Sequence, residues 1–140
     1  MYYVNREQIA VRLEAIPALA DALHALASEW SGNLLQGLAQ ERSLHLAIEI
    51  VTDVGSYLID GFLMRDASSY EDIIEITGAE GVFPAEMTAT LTELAKLRRP
   101  LVQEYYGWPR AELHPFTAKL AELLPAFKTA VEAYLAKELQ

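Results

Sequence analysis

The chain contains no cysteine. Disulfides, thiolate zinc sites and cysteine nucleophiles are therefore excluded. No unbroken apolar run approaches the ~18 residues that a membrane-spanning helix requires. Glycine and proline number only 7 and 6 in 140 residues, too few for a disordered or fibrous chain. Cations are scarce as well. Eleven Lys and Arg face twenty Asp and Glu, for a formal net charge of −9. That balance argues against a general nucleic-acid binder and against DNA as a partner, because phosphate attraction needs a face with cations in excess. It leaves room for one small basic pocket, and Arg98, Arg99 and Arg110 are the densest cationic cluster. The opening residues Met1-Tyr2-Tyr3-Val4-Asn5-Arg6-Glu7 have no basic flank followed by a long apolar core, so they do not read as a secretory signal. A cytoplasmic protein without a membrane segment is expected.

What the chain does have is apolar residues, 52% of the total, at helical spacing. One domain over residues 1–140 is large enough to bury a core. Asn5 can cap a first helix with Gln8 as its capping-box partner. Ile9, Leu13, Ile16, Leu19, Leu23 and Leu26 then recur on one face, and Pro17 should kink or divide that helix. Ser31-Gly32-Asn33 ends it. A second helix from about Leu34 to Met64 is mostly apolar. Its polar residues Arg42, His45, Glu49, Asp53, Ser56 and Asp60 are spaced by three or four and form one narrow stripe. Such a helix should be central, with Gly55 and Gly61 allowing close approach by neighbours. A short helix over Tyr70–Ile76 stops at Gly78 or Gly81. Pro84 suits the first turn of a fourth helix, which carries Met87, Leu91, Leu94, Leu97 and Leu101 inward until Pro100 interrupts it. The last segment, about Arg110 to Leu139, is amphipathic and is bent or split at Pro115 and Pro125. The fold class is all-α: an up-and-down bundle, four main helices and a short extra one.

The chemistry concentrates in Leu97-Arg98-Arg99-Pro100-Leu101-Val102-Gln103-Glu104-Tyr105-Tyr106. Arg98 or Arg99 can hold a phosphate through paired hydrogen bonds. Gln103 can donate or accept a hydrogen bond but cannot shuttle a proton. Tyr105 lies about two turns beyond Arg98, on roughly the same helical face if the helix were regular. The competing reading is a solvated basic patch beside two core or interface tyrosines.

This run resembles the signature of HepT-like ribonucleases, a branch of the HEPN superfamily. That signature is Arg, a polar residue that is often Asn, two or three mostly apolar residues, His, any residue, and Tyr. Arg98 stands at the Arg, Leu101-Val102 at the apolar pair and Tyr105 at the Tyr. Arg99 stands where Asn is common, and Gln103 occupies the His position. The order of elements is also similar, from the helix bearing Glu49 and Asp53 through Asp60-Gly61-Phe62, the Tyr70 helix and Gly81-Val82-Phe83.

The resemblance implies a homodimer whose signature residues meet in a cleft at the subunit interface. It implies RNA cleavage without a metal or other cofactor, with Arg98 holding the scissile phosphate and position 103 in acid–base work. It further implies a toxin whose antitoxin is a minimal MntA-like nucleotidyltransferase, able to transfer AMP groups to Tyr105. Gln103 departs from this scheme. A histidine near pKa 6.5 can take and return a proton at pH 7, and that contribution is typically worth ~10²–10⁴ in rate. With an amide it vanishes or comes from His45 or His114.

The other residues carry plainer expectations. His45, Glu49 and Asp53 either line an interface or pair with Arg42 and Arg98, and their one-turn spacing also suits a metal, although one helix offers few ligands. His24 should be a partly buried spectator. Tyr105, Tyr106 and Trp108 can stack a base or anchor an interface. Glu71, Asp72 and Glu75 should form a solvated acidic face. Two alternatives to the ribonuclease stay open: a non-enzymatic subunit that binds a nucleotide or a nucleotidyltransferase, and a helical interaction module with no ligand.

Overall fold

The computed structural model describes residues 2–139. Six α-helices follow one another: α1 (Arg6–Leu13), α2 (Ile16–Glu29), α3 (Leu34–Gly61), α4 (Tyr70–Ala79), α5 (Ala85–Lys96) and α6 (Pro115–Glu138). A π-helical turn (Arg99–Gln103) and a 3₁₀ turn (Tyr105–Gly107) lie between α5 and α6. No strand occurs among the described residues, and the architecture is the up-and-down helical bundle expected. No helix among them is long and apolar enough to cross a membrane.

Local signals set most helix ends. Asn5 accepts from the Gln8 backbone N–H at 3.2 Å, half of a capping box, while the Gln8 side chain turns to Arg12 instead. Pro17 does divide the first apolar stretch, and it sits at the start of α2 where its missing N–H removes no helical bond. Asn33 caps α3 by accepting from Gln36 at 2.8 Å. That helix ends at Gly61, short of the expected Met64, because Leu63 turns left-handed at φ 55 and Met64 donates back to the Ile59 carbonyl. This is a Schellman stop with leucine in the place usually taken by glycine. Pro115 starts α6 and does not bend it, and α6 runs unbroken through Pro125.

The central helix is α3, which packs against α1, α2, α4, α5, α6 and the π turn. Its glycines act as expected. A Cβ on Gly55 would lie 2.4 Å from Cγ2 of Ile73, and one on Gly61 would lie 2.9 Å from Cα of Val4. Gly37 serves in the same way. A Cβ there would meet the Arg110 carbonyl at 2.4 Å, so the segment before α6 lies directly on α3. The core gathers Ile9, Leu23, Leu44, Ile48, Leu91, Leu94, Leu120 and Phe127, all essentially inaccessible to solvent. Burying side chains of this size stabilises by ~1.5–3 kcal/mol each.

Candidate functional site

Pro100 shapes the signature segment. It cannot donate to the carbonyl four residues back, and its ring crowds that carbonyl, so α5 cannot continue unchanged. The chain widens into the π turn, in which Glu104 donates to the Arg99 carbonyl at 2.8 Å. Leu101 stays buried against the core, while Gln103 emerges exposed. Single-turn π segments of this kind occur frequently at functional sites. The 3₁₀ turn follows at once, so Arg98 and Tyr105 do not share a regular helix face as the spacing suggested. Tyr105 and Tyr106 meet edge to face at 5.7 Å and remain 60% and 80% exposed.

The three arginines of the basic cluster part company. Arg110 makes two hydrogen bonds to Glu41 of α3, the one to Oε1 at 2.8 Å, and the carboxylate reinforces its charge. Arg99 is well exposed and reaches Glu104 at 3.3 Å. Arg98 alone of the three meets no carboxylate among the described residues. Its guanidinium carbon lies 4.4 Å from the centre of the Tyr70 ring, and its Nε is buried with no hydrogen-bond partner. An unmet buried donor costs ~1–3 kcal/mol. In a molecule of charge −9, this is a cation in no ion pair among the described residues.

Behind the signature, Gln40 of α3 latches the chain that leads into α6. Its Oε1 accepts from the His114 backbone N–H at 2.8 Å and from the Thr117 hydroxyl at 2.7 Å, and its Nε2 donates to the Glu112 carbonyl at 3.0 Å. Gln40 is fully buried. His114 accepts the Phe116 N–H on Nδ1 at 3.0 Å, capping α6, and its ring stacks on Trp108. Burial pushes its pKa below the usual histidine value.

Of the other residues singled out in the sequence, some meet the partners expected and some do not. Asp53 pairs with Arg12 at 3.0 Å, not with Arg42 or Arg98. Arg42 turns to Nδ1 of His45 at 3.4 Å, and the other ring nitrogen of His45 faces Glu49 at 3.3 Å. With Asp53 committed to Arg12, this stripe is not a ligand set. No group of three His, Asp or Glu residues among the described ones could hold a metal. His24 is exposed, because it lies on the outer side of α2 where that helix meets α6. Trp108 is buried and takes no part in the tyrosine pair. Asp72 is buried as well. It accepts both Arg65 Nη groups and the Ser68 N–H, which hold its carboxyl far below the usual carboxylate range. Glu71 and Glu75 remain on the surface side of α4, as expected of them.

Comparison with known proteins draws these features together. The model of the ribonuclease HepT-like family matches residues 13–131, most of the chain. The chain belongs to the HepT-like ribonuclease family. Among its relatives is "Putative RNase YutE" of Bacillus subtilis (strain 168), 34% identical over 142 residues that span 99% of this chain and 95% of that protein. A solved structure described as the cytosolic protein of unknown function YutE from Bacillus subtilis is also similar. It superposes with a TM-score of 0.84 at 33% identity, over 99% of this chain and 96% of that one. In this HepT-like chain, sequence spacing located Arg98 but missed Tyr70, Gln40 and Glu41. Tyr70 opens a different helix, and Gln40 lies among apolar positions of α3, so neither stands in any motif register with Arg98.

Proposed function

We propose that this HepT-like protein holds RNA through a backbone phosphate at Arg98, and that Gln103 leaves it a weak ribonuclease or none. The observation that carries the reading is Arg98 itself, a guanidinium with no carboxylate partner among the described residues, stacked on the Tyr70 ring. The terminal nitrogens form a fork that matches two phosphate oxygens, with Arg99 as an outer cation. Cleavage by the neighbouring 2′-hydroxyl needs one group to take its proton and another to give a proton to the leaving oxygen. Gln103 can hydrogen-bond to either oxygen but can carry no proton between them. Nor does either candidate, His45 or His114, stand in. His45 lies between Arg42 and Glu49, and His114 caps α6 through Nδ1. The general acid–base share of the rate, ~10²–10⁴, is then missing.

The rest of the reading follows the family. The protein is a cytoplasmic homodimer of one helical unit per chain, paired with an MntA-like nucleotidyltransferase antitoxin, with Tyr105 as the phenol that accepts AMP. The dimer reading is supported by leucines standing in solvent at the start of α3: Leu34, Leu35 and Leu38, of which Leu35 is 79% exposed. Tyr105 is open enough to reach a modifying enzyme. Purified wild type, Gln103→His and the double variant Gln103→His/Arg98→Ala are to be incubated with labelled RNA in EDTA. Cleavage gained in Gln103→His and lost again in the double variant supports the site; no gain refutes its geometry.

The engagement of His45 and His114 also favours a second reading, a non-enzymatic subunit that binds a nucleotide or a nucleotidyltransferase at Arg98. Thermal stabilisation by AMP or ATP, with no RNA turnover by wild type or Gln103→His, would select it.

A further inference from the structure

Four of the seven arginines, Arg12, Arg65, Arg99 and Arg110, are each held by a carboxylate, and Arg12 also lies 5.0 Å from the centre of the Tyr57 ring. Arg98 is held by a ring, with its guanidinium carbon 4.4 Å from the Tyr70 centroid. The difference matters for an anion site. A carboxylate would fix the guanidinium but cancel its charge, whereas an aromatic face attracts the cation through its quadrupole and leaves the net charge intact. We infer that Tyr70 is the positioning residue for Arg98, a neutral platform that holds the guanidinium in one orientation and leaves its charge free for a phosphate. This inference rests on Arg98 being the phosphate-binding residue.

Two further features fit a platform. First, the guanidinium has one end closed off, because Nε is buried and meets no acceptor. Only the terminal nitrogens are left to engage a ligand, so the stack selects a single direction of approach. Second, the backbone that carries Tyr70 is fixed, while its ring stays 40% exposed. Tyr70 is the first residue of α4, directly after the Ser69 cap, which accepts from Asp72 at 3.0 Å. The Asp72 carboxylate is tied to Arg65 at 2.7 Å and to Ser68 at 2.9 Å. The close approach of α4 to α3 is permitted by Gly55, opposite Ile73. A long, flexible side chain held before binding loses less freedom on binding, and affinity rises accordingly.

The test is binding of a short fluorescein-labelled single-stranded RNA, followed by anisotropy, with the full chain and variants at position 70. Tyr70→Phe keeps the ring and should bind within about twofold of wild type. Tyr70→Leu should weaken binding roughly 3- to 30-fold, the span expected for one cation–π contact. Pentafluorophenylalanine at position 70 keeps the shape but reverses the ring quadrupole, and should behave like leucine; it also serves if the leucine variant does not fold. In an Arg98→Ala background none of these changes should matter further. Proton exchange at the Arg98 Nε–H, read by NMR, should be slow in wild type and Tyr70→Phe and faster in Tyr70→Leu. Wild-type binding that ignores Arg98→Ala overturns the phosphate reading and this inference with it. Arg98-dependent binding that Tyr70→Leu and the fluorinated ring leave intact overturns this inference alone, as does an equal loss in the Arg98→Ala background.

Discussion

Replacing Gln40 by leucine should release the segment that links the signature to α6. Leucine has nearly the same volume, so no large cavity opens and the cost is almost purely polar. Three partners lose their bonds: the His114 N–H, the Glu112 carbonyl and the Thr117 hydroxyl. A buried group left unsatisfied costs ~1–3 kcal/mol. The bonds to His114 and Glu112 are only partly buried, so water can relieve them, whereas that to Thr117 is buried. Taking the lower end for each gives a loss of about 3 kcal/mol. For a chain of this size that corresponds to a fall of about 10 °C in Tm. Urea and thermal unfolding followed by circular dichroism would measure both. Trp108 fluorescence should also shift, because the tryptophan stacks on His114 in the same segment. A loss below about 1 kcal/mol would refute the latch, since even one orphaned buried partner should exceed that.

Further outcomes follow from other parts of the fold. Leu63→Gly should stabilise the protein by about 0.5–1 kcal/mol, because a left-handed leucine 73% exposed costs more than the freedom glycine loses on folding; urea midpoints check it. Gly55→Ala gains about 1 kcal/mol of helix propensity but sets a methyl against Ile73, so stability should fall by up to about 2 kcal/mol net and RNA affinity should drop as α4 moves Tyr70. Acid should act in two windows. The lowered pKa of His114 makes its neutral form the folded one, so its stabilisation is full above about pH 6.5 and is lost as pH falls through the folded value. Asp72 is depressed too; its contribution holds above the ordinary carboxylate value near 4 and is lost below it, and Asp72→Asn should flatten only that lower limb of a urea-midpoint profile. If the proposed homodimer forms through the exposed leucines, wild type should run as a dimer in light scattering and Leu35→Glu as a monomer; an unchanged dimer mass would place the subunit contact elsewhere.

The fold was largely readable from periodicity and punctuation. Pro84 marks a helix start and Pro17 a division through backbone chemistry that needs no tertiary information, whereas Asn33, read as part of a stop, caps α3, and Pro115, read as a bend or split, starts α6. The end of α3 was not readable, because Leu63 takes a conformation that its residue type disfavours. The site was legible in part. The motif named Arg98, but charge partners are set by packing between distant segments. Nothing in the order of residues says that Glu41 holds Arg110, that Arg12 reaches Asp53, or that Asp72 turns inward to Arg65. Helical spacing alone does not fix Tyr105 relative to Arg98, because Pro100 forces a π turn between them and a regular helical wheel does not contain one.

The most direct measurement is the salt dependence of single-stranded RNA binding by wild type and Arg98→Ala. Each phosphate contact on a single strand contributes about −0.7 to the slope of log affinity against log salt. If Arg98 holds a backbone phosphate, the variant should bind more weakly for every sequence tried, with a slope shallower by about that amount. Equal affinity and equal slope for the two proteins would contradict the account.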